Sequence, residues 1–295
     1  MNKETNVTVN REYKSTVFAQ LFKDKKKLLS LYNALNNSNY TDDDDLEIVT
    51  LENAIYMSMK NDLAFLLDCK LHLYEHQSTP NPNMPLRDLF YVSKEYEKLI
   101  NKKSLYSKNI IKIPAPRFIV FYNGMESQPE RMELKLSDLY QIAEPEPMLE
   151  LKVIMLNIND GNNEALKKSC KVLKDYMQYV NRVRKYVYEY EMKLEDAVER
   201  AVTECIKENI LKDFLIENRA EVIAMSIFEF DEEREMKLIR EEEYQSGLED
   251  GLKKGEYITL YNLYKDNKIS LETALQSISM SKEEFFEVAK KYRLN

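Results

Sequence analysis

Apolar and polar positions change their spacing near residue 160. Before that point, short alternating or continuous apolar runs sit between turn-rich segments. Beyond it, apolar residues recur at helical spacing almost to the C-terminus. Val17, Leu21, Leu28, Leu31 and Leu35, joined by Phe18 and Phe22, predict a helix over 12–36. The polar stretch from Asn36 to Asp45 reads as a loop, and Leu46 to Leu51 as a first strand. Residues 62–77 read as two apolar strands joined by a polar turn. Pro80, Pro82 and Pro85 punctuate the loop that follows. Leu86, Leu89, Phe90, Tyr96, Leu99 and Ile100 predict a helix over 86–100. Arg117 to Tyr122 is continuously apolar after its first residue, as in a strand covered on both faces. It ends at Asn123-Gly124, a turn signal in which glycine supplies positive φ. Glu150 to Asn157 gives one more strand. The predicted order is therefore helix, strand, hairpin, helix, strand, strand.

Past Gly161 the chain predicts long, charge-rich helices over 163–190, 191–217 and 219–243. Gly247, Gly251 and Gly255 fall along one face of a helix, which suits either close helix approach or a flexible joint. Ser270 and Ser281, each followed by Glu in the next turn, read as N-caps of two short helices. The expected organisation is a mixed domain over 1–160, a helical region over 161–245 packed on or extending from it, and a helical tail over 246–295. Association into homo-oligomers through the C-terminal helices is a further expectation.

Composition narrows the function classes. No apolar run approaches the roughly 18 residues that span a bilayer, and the first residues are polar, without an apolar signal core. Cys69, Cys170 and Cys205 are scattered, so neither a disulfide framework nor a zinc cage is indicated, and a reduced, cytoplasmic protein is expected. With only 5 glycines, neither GxGxxG nor a P-loop occurs. A net charge of −8 argues against a chain that coats nucleic acid by charge alone. The balance is uneven, however. Basic residues prevail over 88–120 and 167–193, whereas acid accumulates at Asp42 to Asp45 and from Glu217 to Glu243. Either basic stretch is a solvated face or a flank that meets phosphate.

The hairpin carries the candidate chemistry. Glu75 and Gln77 share a strand face, and Asp62 opens the opposing strand. A two-residue loop at Asp68-Cys69 sets Asp62 against Glu75, and a four-residue loop sets it against Gln77. A three-residue loop turns it to the other face. With an even loop or a compensating bulge, two carboxylates and an amide converge, a cradle for a hard divalent cation and the water it activates. Solvated side chains on an exposed face are the bland alternative. His72 and His76 lie on the opposite face and read as core histidines.

Asn61-Asp62, Tyr74-Glu-His-Gln-Ser-Thr79, Asn81-Pro-Asn-Met-Pro-Leu-Arg87 and Phe121-Tyr-Asn-Gly124 together resemble the Rpn family of recombination-promoting nucleases and transposases. The similarity continues through Leu156-Asn-Ile-Asn159 to the glycine-spaced tail, nearly the whole chain. The resemblance implies an α/β (α+β) fold: a PD-(D/E)XK-like mixed central sheet flanked by helices, followed by an all-helical C-terminal region. It implies Mg²⁺-dependent (or Mn²⁺-dependent) cleavage of DNA linked to mobile elements. By the family pattern Asp62 and Glu75 hold metal, and Gln77, where many relatives carry lysine, orients water. Tyr122 and Asn123 match a family block without an assigned role. Lys94, Lys98, Lys102 and Lys103 are candidates for phosphate contact. Ser15 stands where relatives usually carry an acid in the first helix, and Glu12 is one turn short of that place. This departure implies weaker metal binding or loss of cleavage, and it keeps a second reading open: a catalytically weakened nuclease fold acting as a DNA-binding or oligomeric scaffold.

Overall fold

A computed structural model describes residues 16–49, 62–100, 105–292 and 294. Its strands are β1 (Glu47–Ile48), β2 (Leu63–Leu67), β3 (Lys70–Gln77), β4 (Ala115–Tyr122), β5 (Arg131–Lys135) and β6 (Lys152–Asn157). They form one mixed sheet in the order β1-β2-β3-β4-β6-β5. β3, β4 and β6 run parallel, while β1, β2 and β5 pair antiparallel with their neighbours.

The β2–β3 hairpin follows the shorter even loop. Leu67 pairs with Lys70, and Asp68-Cys69 form the whole turn, at φ 53° and 55°. Two successive left-handed residues define the tight turn whose twist matches that of the strands. Neither residue is glycine, and an L-residue costs about 1 kcal/mol or more in that conformation. Cys69→Gly is accordingly expected to raise stability by about 0.5–1 kcal/mol. Urea denaturation checks this; an unchanged midpoint refutes it.

Side chains on β3 alternate strictly between two cores. His72, Tyr74 and His76 face the larger core, with Phe18, Tyr32 and Tyr176. That core is covered by α1 (Val17–Phe22), α2 (Lys25–Asn36) and α5 (Lys171–Tyr188). Leu71 and Leu73 face the smaller core, under Met84, Tyr91 and Val92 of α3 (Met84–Leu99). Glu75 and Gln77 share the α3 side with them.

Several expected elements are cut differently. The helix foreseen over 12–36 breaks at Asp24, whose carboxylate caps α2 by accepting from Lys26 N (2.9 Å) and Lys27 N (3.2 Å). Residues 12–15 lie outside the described residues, as do the last two of the strand foreseen over 46–51. β5 was not foreseen: only Met132 and Leu134 alternate against its charged residues, and it lies at the sheet edge. The long helices foreseen from 163 to 217 divide into α4 (Glu164–Ser169), α5, α6 (Leu194–Lys207) and α7 (Lys212–Glu217), with left-handed Glu191, Asn209 and Leu211 in the breaks.

Two compact units emerge, Met1–Glu233 and Arg234–Asn295. The helices from 161 to 233 fall in the same unit as the sheet. α8 (Arg219–Lys265) packs into the first unit through Val222, Met225 and Phe230. In the second unit Tyr257 packs with Ala274 of α9 (Leu271–Ile278) and with Phe285 and Ala289 of α10 (Lys282–Lys291). Ser270 caps α9, and Ser281 closes a full capping box with Glu284. Gly247, Gly251 and Gly255 lie within α8, where an added Cβ meets nothing within 4 Å among the described residues, so no close approach among these explains them. Among the described residues no helix is long and apolar enough to cross a membrane.

Candidate metal centre at the end of the hairpin

Pairing between β2 and β3 stops at Leu63↔Tyr74, one step before Asp62 comes level with Glu75. At that step the side chain of Asp62 replaces the ladder: its Oδ2 accepts from the backbone N–H of His76 at 2.7 Å. The half-buried carboxyl is thereby fixed at the mouth of the strand pair. Burial pushes its pKa up to about 6, opposed by the His76 N–H and the Arg87 charge and reinforced by Glu232.

Glu75 is 4% exposed. Its Oε2 lies 3.9 Å from Arg87 Nη2, while its Oε1 is buried and has no hydrogen-bond partner among the described residues. Burial raises its pKa well above the ordinary range, and the adjacent Asp62 charge raises it further, with Arg87 opposing. Two carboxyls that hinder each other's ionisation, one with a bare buried oxygen, form a donor set that a divalent cation would satisfy. The residues present therefore fit a hard metal ion.

Two more carboxyls border this pair. Asp88, on the buried face of α3, is pushed up to about 8 by burial, and its Oδ1 is also without a partner among the described residues. Glu229 of α8 accepts from Val17 N at 2.6 Å. Burial lifts it to about 8, with Asp62, Glu232 and Glu233 adding to the shift. Neither completes a tight three-carboxylate cage. Among the described residues, the ligating side chains grouped within 4.8 Å of one another are Asp42, Asp43 and Asp44. These belong to a solvated loop in which Asp42 accepts from Asp44 N.

The remaining site expectations separate. Gln77 shares the face of Glu75, but its Nε2 points at Met84 Sδ, 2.7 Å away. Lys94 and Lys98 lie on α3 roughly 10 and 16 Å along its axis from Arg87. Lys98 sits 3.2 Å from Glu95 Oε1, so the structure does not bring these lysines to the carboxyl pair. Lys102, Lys103, Ser15 and Glu12 lie outside the described residues. Tyr122 donates to Glu126 O (2.9 Å), and Asn123 N donates to Gln77 O (3.0 Å), which makes this block a clamp on the end of β3. His76 meets Tyr176 Oη at 3.0 Å on the opposite face, and burial lowers it to about 3. His72, lowered by burial to about 4, stacks on Phe65. Both stay neutral core histidines, away from Glu75.

Arg87 ends one of the blocks that carry the family resemblance but had no role assigned to it, and Asp88 and Glu229 were absent from the site residues foreseen. Asp88 was findable, because it follows Met84 by four positions and precedes Tyr91 by three, so a charge interrupts the buried stripe of α3. Glu229 has no such signal, since only tertiary packing brings α8 to α1. The chain matches no protein-family model, no curated protein and no solved structure.

Proposed function

We propose that this protein is a Mg²⁺-dependent DNA endonuclease of the PD-(D/E)XK type, acting in recombination or on mobile elements. The observation that carries this reading is the bare, buried Oε1 of Glu75 beside Asp62, at the end of a parallel-strand core. Asp62 and Glu75 would hold the ion, which when bound supplies a polarised phosphoryl oxygen and a water of lowered pKa. Asp62 is held in place by the His76 N–H, and Glu75 by its burial under α3. Gln77 donates through its amide and cannot serve as a base near neutrality. It orients water only by leaving Met84 Sδ.

That contact favours a second reading, a nuclease fold that binds DNA as a scaffold with weakened cleavage. Plasmid nicking in Mg²⁺ and in EDTA, with Asp62→Ala as control, separates the two. Nicking that needs Mg²⁺ and disappears in Asp62→Ala is expected. DNA binding without nicking in Mg²⁺ or Mn²⁺ selects the scaffold, and nicking unchanged by Asp62→Ala rejects this site.

A further inference from the structure

We infer that Arg87 is the phosphate-binding cation of the site, contacting a backbone phosphate of the bound DNA. This rests on the reading of Asp62 and Glu75 as a metal-holding pair. Arg87 is the fourth residue of α3, on the sheet side of its first turn. Its Nη2 donates to Tyr91 Oη at 2.9 Å, and its guanidinium lies 5.8 Å from the centre of the Tyr91 ring. A guanidinium has five N–H donors in a rigid fork, and the tyrosine bond uses one.

A guanidinium placed merely to neutralise Glu75 would engage it directly, in a short bidentate pair. Here the separation is 3.9 Å, beyond hydrogen-bond range, and the Glu75 Oε1 stays bare. One cation also faces three carboxyls, Asp62, Glu75 and Asp88. Ion pairing alone therefore leaves Arg87 without a full role. Tyr91 instead holds it from behind while its side chain stays 34% exposed, open to an incoming anion.

The chemistry of the site requires such a group. A scissile phosphate there would bring a further negative charge to two carboxylates that would already share the metal ion, and Gln77 adds no positive charge. A planar fork that meets two phosphate oxygens at once supplies the missing charge and fixes orientation. Its place on the first turn of α3, beside the end of β3, sets it on the face that Glu75 and Gln77 present.

The test uses the full chain and reads metal and DNA separately. Mn²⁺ binding is followed by the loss of the free-ion paramagnetic resonance signal, and binding of a fluorescent duplex by anisotropy in Ca²⁺. Arg87→Gln is expected to keep or strengthen Mn²⁺ binding, to weaken DNA binding about tenfold or more, and to reduce the salt slope by about 1. Arg87→Lys should lose severalfold, because it keeps the charge but not the fork. Tyr91→Phe should fall between the parent and Arg87→Gln, with Mn²⁺ binding intact. If Arg87→Gln does not fold, the other two variants decide. DNA affinity equal to the parent's in the folded variants overturns the inference, as does a parent that binds no duplex. A parent that binds duplex but not Mn²⁺ instead overturns the metal reading, and the Arg87 comparison still stands on affinity and salt slope.

Discussion

Glu75→Gln is expected to raise the melting temperature of the metal-free protein and to remove its response to Mn²⁺. The two effects have one cause. Glutamine keeps the volume and shape of the side chain but cannot ionise. In the folded protein the carboxyl of Glu75 is held well above its ordinary pKa, first by burial and then by Asp62. The folded state therefore binds its proton more tightly than the unfolded chain does. For such a group the stability is fully present below the unfolded value, near 4.5, and is lost as pH rises toward the folded value. Asp62, at about 6, and Asp88, at about 8, slope the same way. Parent and variant should thus melt together near pH 4 and diverge upward, with the variant higher by about 3–6 °C near pH 8, corresponding to roughly 1–2 kcal/mol. Mn²⁺ should raise the parent increasingly with pH, because binding displaces protons. Its affinity for Glu75→Gln should fall on the order of 100-fold or more. Calorimetric melts from pH 4 to pH 9, with and without Mn²⁺, test both halves. A variant that melts below the parent throughout would show that Glu75 serves the fold, and a retained Mn²⁺ shift would place the ion elsewhere.

The parts of this site that were legible in the sequence are those governed by short-range rules. A period of two in the apolar pattern and a turn of fixed length place Glu75 and Gln77 on one face and bring Asp62 level with Glu75. N-caps at Ser270 and Ser281 depend only on neighbouring backbone and were equally readable. α3 shows where such rules fail. Its apolar residues Leu86, Phe90 and Leu99 are exposed, whereas Asp88 and Glu95 are buried. Apolar residues thus lie on both faces of this helix, and ranking positions by hydrophobicity passes over Arg87 and Asp88 unless the helical spacing of Met84, Asp88 and Tyr91 is followed. The acid of α8 beside Val17 depends on packing between segments remote in sequence, and no local pattern encodes it.

Gly124→Ala is expected to destabilise the first unit by about 3 kcal/mol or more. The turn signal at Asn123-Gly124 suggested a glycine needed for positive φ. Among the described glycines only Gly161 has a positive φ, so the requirement at Gly124 is steric. A Cβ there would stand 1.8 Å from Ser78 O, 2.7 Å from Ser78 C and 2.5 Å from Tyr122 Oη. Two of these atoms are backbone and cannot swing aside. The same segment is tied to the end of β3 by Asn123 N donating to Gln77 O at 3.0 Å, and to the loop after β6 by Asn159 Nδ2 donating to Gly124 O at 2.9 Å. Relief of the clash must therefore move Gln77 and Ser78, and with them the strand end that carries Glu75. Urea denaturation should show the loss, and Mn²⁺ affinity should fall in whatever folded fraction remains. Steric and conformational causes are separable, because asparagine tolerates positive φ but adds more bulk than alanine. Gly124→Asn should accordingly be no better than Gly124→Ala, whereas glycine at Cys69, where φ is positive, stabilises. Rescue by asparagine at 124 would return the requirement to φ and leave the close approach to Ser78 without consequence.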